Sequence, residues 1–273
     1  MKINSRTELY GVIGDPVGHS LSPVLHNAAF RQTAYPGVYL AFKVRDLAGA
    51  VQGMRALNIR GLSVTIPHKV AIMPMLDEVD EQAEKVGAVN TVVNRDGRLM
   101  GTNTDGIGAV AALKTAGNLT GKRVAVLGAG GAARAVIVGL QQEGAEVMVY
   151  NRGTRRGRQL AAELSATFIP LDQFDGRGGK IDILVNTTPV GMLPHTDALP
   201  VRAEYLDSRL LVMDIVYNPL ETALLKAAGE RGCRTIDGTA MFVHQGARQF
   251  SLWTGLKPPV AVMRDAVLAA LAP

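Results

Sequence analysis

Cysteine is nearly absent from this chain of 273 residues. The single residue Cys233 excludes an internal disulfide bond and a metal site built from several cysteines. The five histidines do not show the HExxH spacing of a zinc-binding helix. We therefore predict a protein without a structural metal.

Long apolar runs are also missing. No segment approaches the ~18 uninterrupted apolar residues that a membrane helix needs. The first ten residues, MKINSRTELY, lack the hydrophobic region of a secretory signal. These absences predict a soluble, cytoplasmic protein with no membrane partner.

The charge balance is mildly basic, with 29 lysines and arginines against 24 aspartates and glutamates. The basic residues are scattered, except in the segment NRGTRRGR at 151–158. No aromatic residues interleave with this segment, and no helix-turn-helix or zinc-finger spacing occurs. We predict no nucleic-acid partner, because a small ligand that carries phosphate fits this segment better.

Strand-like and helix-like segments alternate along the chain, which predicts an α/β fold with parallel sheets covered by helices. The length suits two lobes better than one. The loop NLTGKR, at 118–123, precedes a second series of strands and indicates a boundary between lobes. Two helices, within 239–255 and 258–272, follow the last strand, and the pattern alone allows either lobe for them.

The segment GLSVTIPHK, at 61–69, reads as a buried strand that Pro67 ends, with Lys69 two residues further on. The functional interpretation is that the turn after Pro67 positions the Lys69 side chain in a catalytic site. The structural alternative is a solvated lysine in the first turn of a helix formed by HKVAIMPML.

Three further segments contain polar residues that the fold alone does not require. GDPVGHSLSP offers Ser20 and Ser22 before a helix, GAVNT offers Asn90, and GTNTDG offers Asp105 before another helix. Each has a structural alternative, because Ser22 and Asp105 are competent helix N-caps and Asn90 suits a turn.

A glycine-rich loop joins strand and helix in RVAVLGAGGAARA. It matches the G-x-G-x-x-G/A fingerprint of dinucleotide-binding folds, in which one glycine permits a tight turn and another lets pyrophosphate approach the helix N-terminus. We predict dinucleotide binding by the loop residues Gly128, Ala129, Gly130, Gly131 and Ala132.

The residues at the end of the next strand indicate whether the dinucleotide is NAD or NADP. NAD sites usually carry Asp or Glu here for the ribose 2′-hydroxyl, whereas this chain has Asn151 and Arg152, followed by Thr154 and Arg156. Arginine pairs with a 2′-phosphate through a fork of donors. We predict NADP, against the alternative of a solvated basic helix start.

Two more glycine turns follow strands that should end at the same rim, NTTPVGM at 186–192 and IDGTAMF at 236–242. Ligands bind outside the carboxyl ends of parallel strands. These turns are therefore expected to frame the nicotinamide, although each also suits an ordinary turn; the residues are Thr187, Thr188, Gly191, Gly238 and Met241.

Together these segments resemble the shikimate/quinate dehydrogenase family over nearly the whole chain. The matching segments, in the family's order, are GDPVGHSLSPVLHN, GLSVTIPHK, GAVNT, GTNTDG, GAGGAAR, NTTPVGM, DIVYNP and GTAMFVHQ. The resemblance implies an N-terminal α/β substrate domain and a Rossmann-type, doubly wound NADP domain with a cleft between them. It places residues 1–106 and 238–273 in a discontinuous substrate domain and residues 107–237 in the NADP domain.

The resemblance also implies the activity, an NADP-dependent reversible reduction of 3-dehydroshikimate to shikimate on the way to aromatic amino acids. By this match Lys69 is the catalytic lysine, paired with Asp105. Ser20 and Ser22 hold the substrate carboxylate with Tyr217 near it. The implied ligands of the ring hydroxyls are Thr65, Asn90, Asp105 and Gln245.

One departure from the family pattern concerns Gly153, which separates Arg152 from Thr154 and puts in doubt which arginine meets the 2′-phosphate. Two other functions stay open: a relative that oxidises quinate with NAD, and a non-catalytic dinucleotide-binding regulator on the same fold. The serine pair and the basic segment favour shikimate and NADP. The expected assembly is a monomer or a homodimer.

Overall fold

The computed structural model describes residues 3–175 and 181–272. Its strands are β1 (Glu8–Gly14), β2 (Gly37–Lys43), β3 (Gly61–Val64), β4 (Glu78–Val79), β5 (Thr91–Arg95), β6 (Arg98–Thr102), β7 (Arg123–Leu127), β8 (Glu146–Asn151), β9 (Thr167–Pro170), β10 (Ile183–Asn186), β11 (Leu211–Asp214) and β12 (Arg234–Ile236). Its α-helices are α1 (Ser22–Gln32), α2 (Leu47–Ala56), α3 (Glu81–Val86), α4 (Asp105–Lys114), α5 (Gly131–Gln142), α6 (Thr154–Glu163), α7 (Ala223–Glu230), α8 (Gly238–Thr254) and α9 (Val260–Leu271).

Contacts within the chain divide it into two compact units. The first unit comprises Met1–Thr104 and Gln245–Pro273, and the second unit comprises Asp105–His244. The second boundary falls inside α8, so this helix begins in the second unit and ends in the first. The sequence pattern did not decide which lobe contains the last two helices, α8 and α9. In the structure their residues from Gln245 onward belong to the first unit.

The first unit contains a six-stranded mixed sheet in the order β2-β1-β3-β5-β6-β4. Strands β1, β2 and β3 are parallel, and Ile13 of β1 lies opposite Val64 of β3. Because the carboxyl ends of parallel neighbours meet at one edge, this register brings the loops after β1 and β3 side by side. Gly14 is required at this point, since a Cβ there would collide with Thr65.

Apolar side chains hold the first unit together on both faces of the sheet. On one face Leu62 and Val64 pack in a cluster with Met54 of α2. On the other face an aromatic cluster forms around Trp253 of α8, whose indole Nε1 donates to Val92 O across 3.1 Å. Gly61 makes room for that indole, because a Cβ at this position would collide with the ring.

The structural alternative for Lys69, which placed a helix at HKVAIMPML, was wrong. The chain after Pro67 forms turns and then a short 3₁₀ helix at Met73–Met75. Pro74 accounts for the difference, because a proline lacks the N–H that an α-helix needs and clashes with the preceding turn. A β-hairpin joins β5 and β6, and its turn residues Asp96 and Gly97 have positive φ angles of 52° and 92°.

The second unit contains a six-stranded parallel sheet in the order β12-β11-β10-β7-β8-β9. This is the strand order of the doubly wound Rossmann fold, and it confirms the predicted class. The order reverses between β7 and β10, where such folds bind their ligand. Helices α4 and α5 approach closely at Gly106, where a Cβ would collide with the carbonyl oxygen of Ala135.

Candidate active site

The two serines predicted to bind a carboxylate lie in contact in the loop before α1. Ser20 Oγ donates to Ser22 Oγ across 3.1 Å, and the backbone N–H of Ser22 donates to Ser20 Oγ across 3.3 Å. Helix α1 begins at Ser22 without a side-chain cap, so the alternative of a capping serine was wrong. The reason is that Leu21 occupies the N-cap position and Ser22 is the first helical residue. Two adjacent hydroxyls at a helix N-terminus suit an anion.

Lys69 lies in the turns after β3 and is half-buried. Its carbonyl oxygen accepts from the N–H of Val89 across 2.8 Å. The preceding residue, His68, is buried, and its Nε2 lies 2.9 Å from Val44 O. Thr65, in the same loop, donates its backbone N–H to Ile13 O across 3.0 Å. These bonds fix the backbone that carries the threonine and the lysine.

A buried polar cluster joins two of the predicted substrate ligands. Asn90 Nδ2 donates to Thr104 Oγ1 across 3.1 Å, and Asn90 Oδ1 accepts from the backbone N–H of Thr104 across 2.8 Å. Thr104 Oγ1 in turn lies 3.4 Å from Gln245 Oε1. These are the donors and acceptors that hydroxyl groups of a small polyol require.

Two other predicted residues belong to the second unit. Asp105 is the first residue of α4 and is 8% exposed. Tyr217 lies against Phe242, with ring centroids 5.0 Å apart, and burial raises the pKa of its phenol.

Sequence reasoning missed a set of buried polar residues next to the cluster of Asn90. They are His26, Tyr39, Ser63, Thr91 and Gln249. The available signal was spacing, because Gln249 follows Gln245 by four residues on α8 and therefore lies on the same helix face. Burial lowers the pKa of His26 to about 3, so its ring is neutral at ordinary pH.

The glycine fingerprint lies at the switch point of the parallel sheet. Gly128 directly follows β7 with a φ of +112°, and a Cβ there would lie 2.8 Å from Thr187 Oγ1. Gly130 precedes α5 and Gly131 begins it. Apart from chain neighbours, no described atom lies within 4 Å of where a Cβ would stand at either residue, so the helix N-terminus is open to an anion. The flanking Ala129 and Ala132 are half-buried.

The basic segment follows β8 as predicted. Asn151 ends that strand and its Nδ2 donates to Gly153 O across 2.9 Å. Gly153 is the N-cap of α6, and Thr154 is the first helical residue. Arg152 and Arg156 are exposed on either side of this helix start.

Two loops at the same rim are fixed by buried side chains that the sequence analysis did not select. Asn186 Oδ1 accepts from the N–H of Thr188 across 3.0 Å and from its Oγ1 across 2.7 Å. Asp214 accepts from the N–H of Val216 across 3.0 Å and from Thr222 Oγ1 across 2.8 Å. These bonds order the loops that carry Thr188 and Tyr217.

The remaining residues predicted at the nicotinamide lie in or beside these loops. Gly191 has a φ of +90° and is buried. Gly238 begins α8, where a Cβ would lie 2.5 Å from Val216 O, and Met241 is buried one turn further along that helix.

Within residues 3–175 and 181–272, no three His, Cys, Asp or Glu side chains lie close enough together to hold a metal ion. No helix in the described part of the chain is both long and apolar enough to span a membrane.

Three family models match successive parts of this chain. The model of the shikimate dehydrogenase substrate-binding domain matches residues 12–92, and that of shikimate/quinate 5-dehydrogenase matches residues 110–216. The model of the shikimate 5′-dehydrogenase C-terminal domain matches residues 238–268. Their order along the chain is the order of the motifs described above.

Individual proteins match over nearly the full length. A shikimate dehydrogenase (NADP⁺) from Geobacillus kaustophilus is 46% identical over 272 residues, covering 97% of this chain and 99% of that protein. A shikimate dehydrogenase in complex with NADP⁺ is 41% identical with a TM-score of 0.94, covering 100% of this chain and 98% of that one. The shikimate 5-dehydrogenase of Thermus thermophilus, in complex with NADP(H) and shikimate, is 40% identical with a TM-score of 0.91, covering 97% and 100%. The motifs, the fold and these matches agree: the chain belongs to the shikimate dehydrogenase family.

Proposed function

We propose that this protein catalyses the NADP-dependent, reversible reduction of 3-dehydroshikimate to shikimate in aromatic amino acid biosynthesis. The observation that carries the proposal is the polar composition of the first unit. It combines a contacting serine pair, the cluster of Asn90 with Thr104 and Gln245, and a half-buried lysine at 69. Groups of this kind match a ligand that has one carboxylate, several hydroxyls and a carbonyl to be reduced.

Each predicted residue receives a role in this proposal. Ser20 and Ser22 bind the carboxylate through their hydroxyls and the N-terminus of α1. The proposed ligands of the ring hydroxyls are Thr65, Asn90, Asp105 and Gln245, and Tyr217 is proposed at the carboxylate. Because hydroxyl and amide groups both donate and accept, they recognise a polyol rather than an apolar ring.

Lys69 is the proposed acid and base. Bound NADPH supplies the hydride for reduction of the ketone, and a proton must reach the substrate oxygen at the same centre. The Lys69 ammonium polarises the ketone, stabilises the developing alkoxide and donates the proton. In the reverse direction the amine accepts the proton from the hydroxyl. Asp105 is the second residue that we assign to catalysis, as a hydrogen-bond acceptor and a negative charge.

NADP is the proposed cofactor, held by the fingerprint at 128–132 and by the segment after β8. The open N-terminus of α5 suits the pyrophosphate. Arg152 and Arg156 suit the 2′-phosphate, because guanidinium groups pair with phosphate through two parallel hydrogen bonds. The rim loops at 186–191 and 238–241 are proposed at the nicotinamide. We further propose a cytoplasmic location, a monomer or homodimer, and no nucleic-acid or membrane partner.

The test is a spectrophotometric assay at 340 nm with shikimate or quinate, each with NADP⁺ or NAD⁺. We expect turnover of shikimate with NADP⁺. Lys69→Ala should lower kcat at least ~100-fold, as loss of a proton-transferring group does. Lys85→Ala is the control, because Lys85 is an exposed lysine of the same unit.

Three results would contradict parts of the proposal. Preferred oxidation of quinate with NAD⁺ would assign the protein to the quinate-oxidising relatives. Absence of turnover with every pair, despite NADP⁺ binding, would indicate a dinucleotide-binding regulator. Equal activities of the Lys69→Ala and Lys85→Ala proteins would remove the role of Lys69.

A further inference from the structure

A chain of buried hydrogen bonds runs through the first unit and ends at Asn90. Tyr39 OH donates to Ser63 Oγ across 2.6 Å, and Ser63 Oγ donates to Gln249 Oε1 across 2.9 Å. Gln249 Nε2 donates to Thr91 Oγ1 across 2.8 Å, and Thr91 Oγ1 donates to Asn90 Oδ1 across 2.7 Å. All five side chains are buried.

The orientation of the Gln249 carboxamide is determined by its surroundings. Its nitrogen also lies 3.3 Å from the carbonyl oxygen of Asn90, which can only accept a hydrogen bond. A flipped carboxamide would place two acceptors against each other. The NH₂ group therefore faces Asn90 and Thr91, and the oxygen faces Ser63.

His26 supports the same orientation from the other side. Its Nε2 lies 3.3 Å from Gln249 Oε1, and only a protonated Nε2 can donate to that oxygen. The buried Nδ1 has no hydrogen-bond partner among the described residues, as suits the unprotonated nitrogen of a neutral ring. The Gln249 oxygen thus accepts from two donors, Ser63 and His26.

The direction of the chain decides how Thr91 is used. A threonine hydroxyl has one hydrogen, which it can give to only one acceptor. Because Gln249 donates to the Thr91 oxygen, the Thr91 hydrogen is left for another acceptor, and Asn90 Oδ1 at 2.7 Å is nearer than Thr104 Oγ1 at 3.4 Å. Asn90 Oδ1 also accepts from the N–H of Thr104, so both of its lone pairs are used and the Asn90 amide nitrogen is turned to Thr104 Oγ1.

We propose that Gln249 is a positioning residue of the substrate site, which fixes the carboxamide of Asn90 by holding the Thr91 hydroxyl as a donor. This inference rests on the proposed role of Asn90 as a ligand of a ring hydroxyl. Gln249 acts through Thr91 and Asn90 and is not itself assigned a contact with substrate. Its effect should therefore appear in substrate binding rather than in proton transfer.

Two substitutions at this residue separate the amide from the side-chain volume. Gln249→Met keeps a similar size but removes the donor to Thr91 and the acceptor for Ser63. Gln249→Glu keeps an acceptor for Ser63 but replaces the NH₂ group by oxygen; in its ionised form this carboxylate only accepts, so it turns the Thr91 hydrogen away from Asn90. Thr91→Val removes the same hydrogen bond to Asn90 without altering α8 and without placing a charge in the core.

The experiment measures kcat and KM for shikimate at saturating NADP⁺, together with the Kd for NADP⁺. Gln249→Met and Thr91→Val should each raise KM about 10-fold, the loss expected for one well-placed hydrogen bond, with kcat within about 2-fold of the wild type. The double variant should resemble either single variant, because both act through one chain of bonds. The Kd for NADP⁺ should not change.

Thr254→Val is the matched control. Thr254 lies on the same helix, and its hydroxyl donates only locally, to Phe250 O across 2.7 Å. This variant should keep the KM of the wild type. A Gln249→Met protein that melts at a lower temperature but keeps the wild-type KM would overturn the proposal, since Gln249 would then serve stability alone.

A measurement that is independent of turnover distinguishes this inference from the proposed function. The side-chain NH₂ resonances of Asn90 in a ¹⁵N-labelled protein, assigned with Asn90→Asp, should shift in Gln249→Met and in Thr91→Val but not in Thr254→Val. Unchanged resonances would overturn the positioning role even if shikimate is turned over. Shifted resonances in a protein that does not oxidise shikimate would support the positioning of Asn90 and remove the proposed function.

Discussion

The side-chain amide of Asn186 donates to the carboxylate of Asp214 across 2.9 Å, and the two residues lie opposite each other at the carboxyl ends of β10 and β11. Each also binds the loop that follows its own strand, Asn186 through Thr188 and Asp214 through Val216. The pair therefore ties together two loops that we propose at the ligand-binding rim. A carboxylate at the centre of this arrangement should make the second unit sensitive to pH.

Asp214 should lower the stability of the folded protein as the pH rises from about 4 to about 6. Burial raises the pKa of this carboxyl from 3.8 to about 6, and its three hydrogen bonds oppose the effect without cancelling it. Between these two pKa values the folded state holds a proton that the unfolded state has lost. The contribution of Asp214 to the free energy of unfolding is therefore complete below pH 4 and is lost as the pH rises through 6. At 1.36 kcal/mol per unit, the change amounts to about 3 kcal/mol.

Urea unfolding of the wild type and of Asp214→Asn at several pH values measures this effect. The variant does not titrate at this position, so its advantage over the wild type should grow between pH 4 and pH 6. Asp197→Asn is the control, because Asp197 is an exposed aspartate of the same unit. If the difference in unfolding free energy between the wild type and Asp214→Asn did not change with pH, burial would not raise the pKa of this carboxyl.

Two glycines of the fingerprint should respond differently to alanine. Gly128 has a φ of +112°, and a Cβ there would meet Thr187, so Gly128→Ala should destabilise the fold by about 1–3 kcal/mol. Space is open at Gly130, so Gly130→Ala should fold normally and should weaken NADP⁺ binding by blocking the approach of pyrophosphate. Thermal melting and NADP⁺ titration of both variants compare the two effects. Normal NADP⁺ affinity in the Gly130→Ala protein would contradict the proposed cofactor site.

The arginines after β8 should determine the choice between NADP⁺ and NAD⁺. A hydrogen bond to a charged group contributes about 1.5–3 kcal/mol, so loss of the arginine that meets the 2′-phosphate should raise the KM for NADP⁺ roughly 10- to 100-fold. The KM for NAD⁺ should hardly change. Arg152→Ala and Arg156→Ala identify which residue is responsible, and Arg158→Ala, another exposed arginine of α6, is the control. Equal effects on both cofactors would contradict recognition of the 2′-phosphate.

Sequence reasoning predicted best what depends on neighbouring residues. The apolar strands and the glycine fingerprint are local patterns, and both were found in the structure. The helix assumed at HKVAIMPML by the structural alternative for Lys69 was also a local expectation, and Pro74 within that segment is the local signal against it.

The buried polar residues could not be predicted in the same way. Ser63 and Gln249 are 186 positions apart, and Asn186 and Asp214 are 28 positions apart. Whether such side chains meet depends on strand order and on where α8 packs, which short-range periodicity does not determine. The available signs were a polar residue within an apolar strand, as at Ser63, and the four-residue spacing of Gln245 and Gln249. The partners of these side chains became known only from the fold.

His26 should produce a pH dependence opposite in sign to that of Asp214. Burial among Tyr39, Phe30 and Trp253 lowers the pKa of this imidazole from 6.5 to about 3. Below pH 6.5 the imidazole is therefore protonated in the unfolded state but stays neutral in the folded state. The contribution of His26 to the free energy of unfolding is therefore complete above pH 6.5. It should fall by about 1.4 kcal/mol for each pH unit as the pH decreases below that value.

Between pH 4 and pH 6 the two groups act against each other, so their contributions to the unfolding free energy of the wild type should largely cancel. His26→Gln removes the imidazole and keeps a donor for Gln249, so this variant should expose the effect of Asp214 and lose stability as the pH rises. Asp214→Asn should expose the effect of His26 and gain stability over the same range. His19→Gln, at an exposed histidine of the same unit as His26, should follow the wild-type curve. If His26→Gln and the wild type gave parallel curves, the buried ring would have to take up its proton without unfolding, and the neutral tautomer that orients Gln249 would not persist in acid.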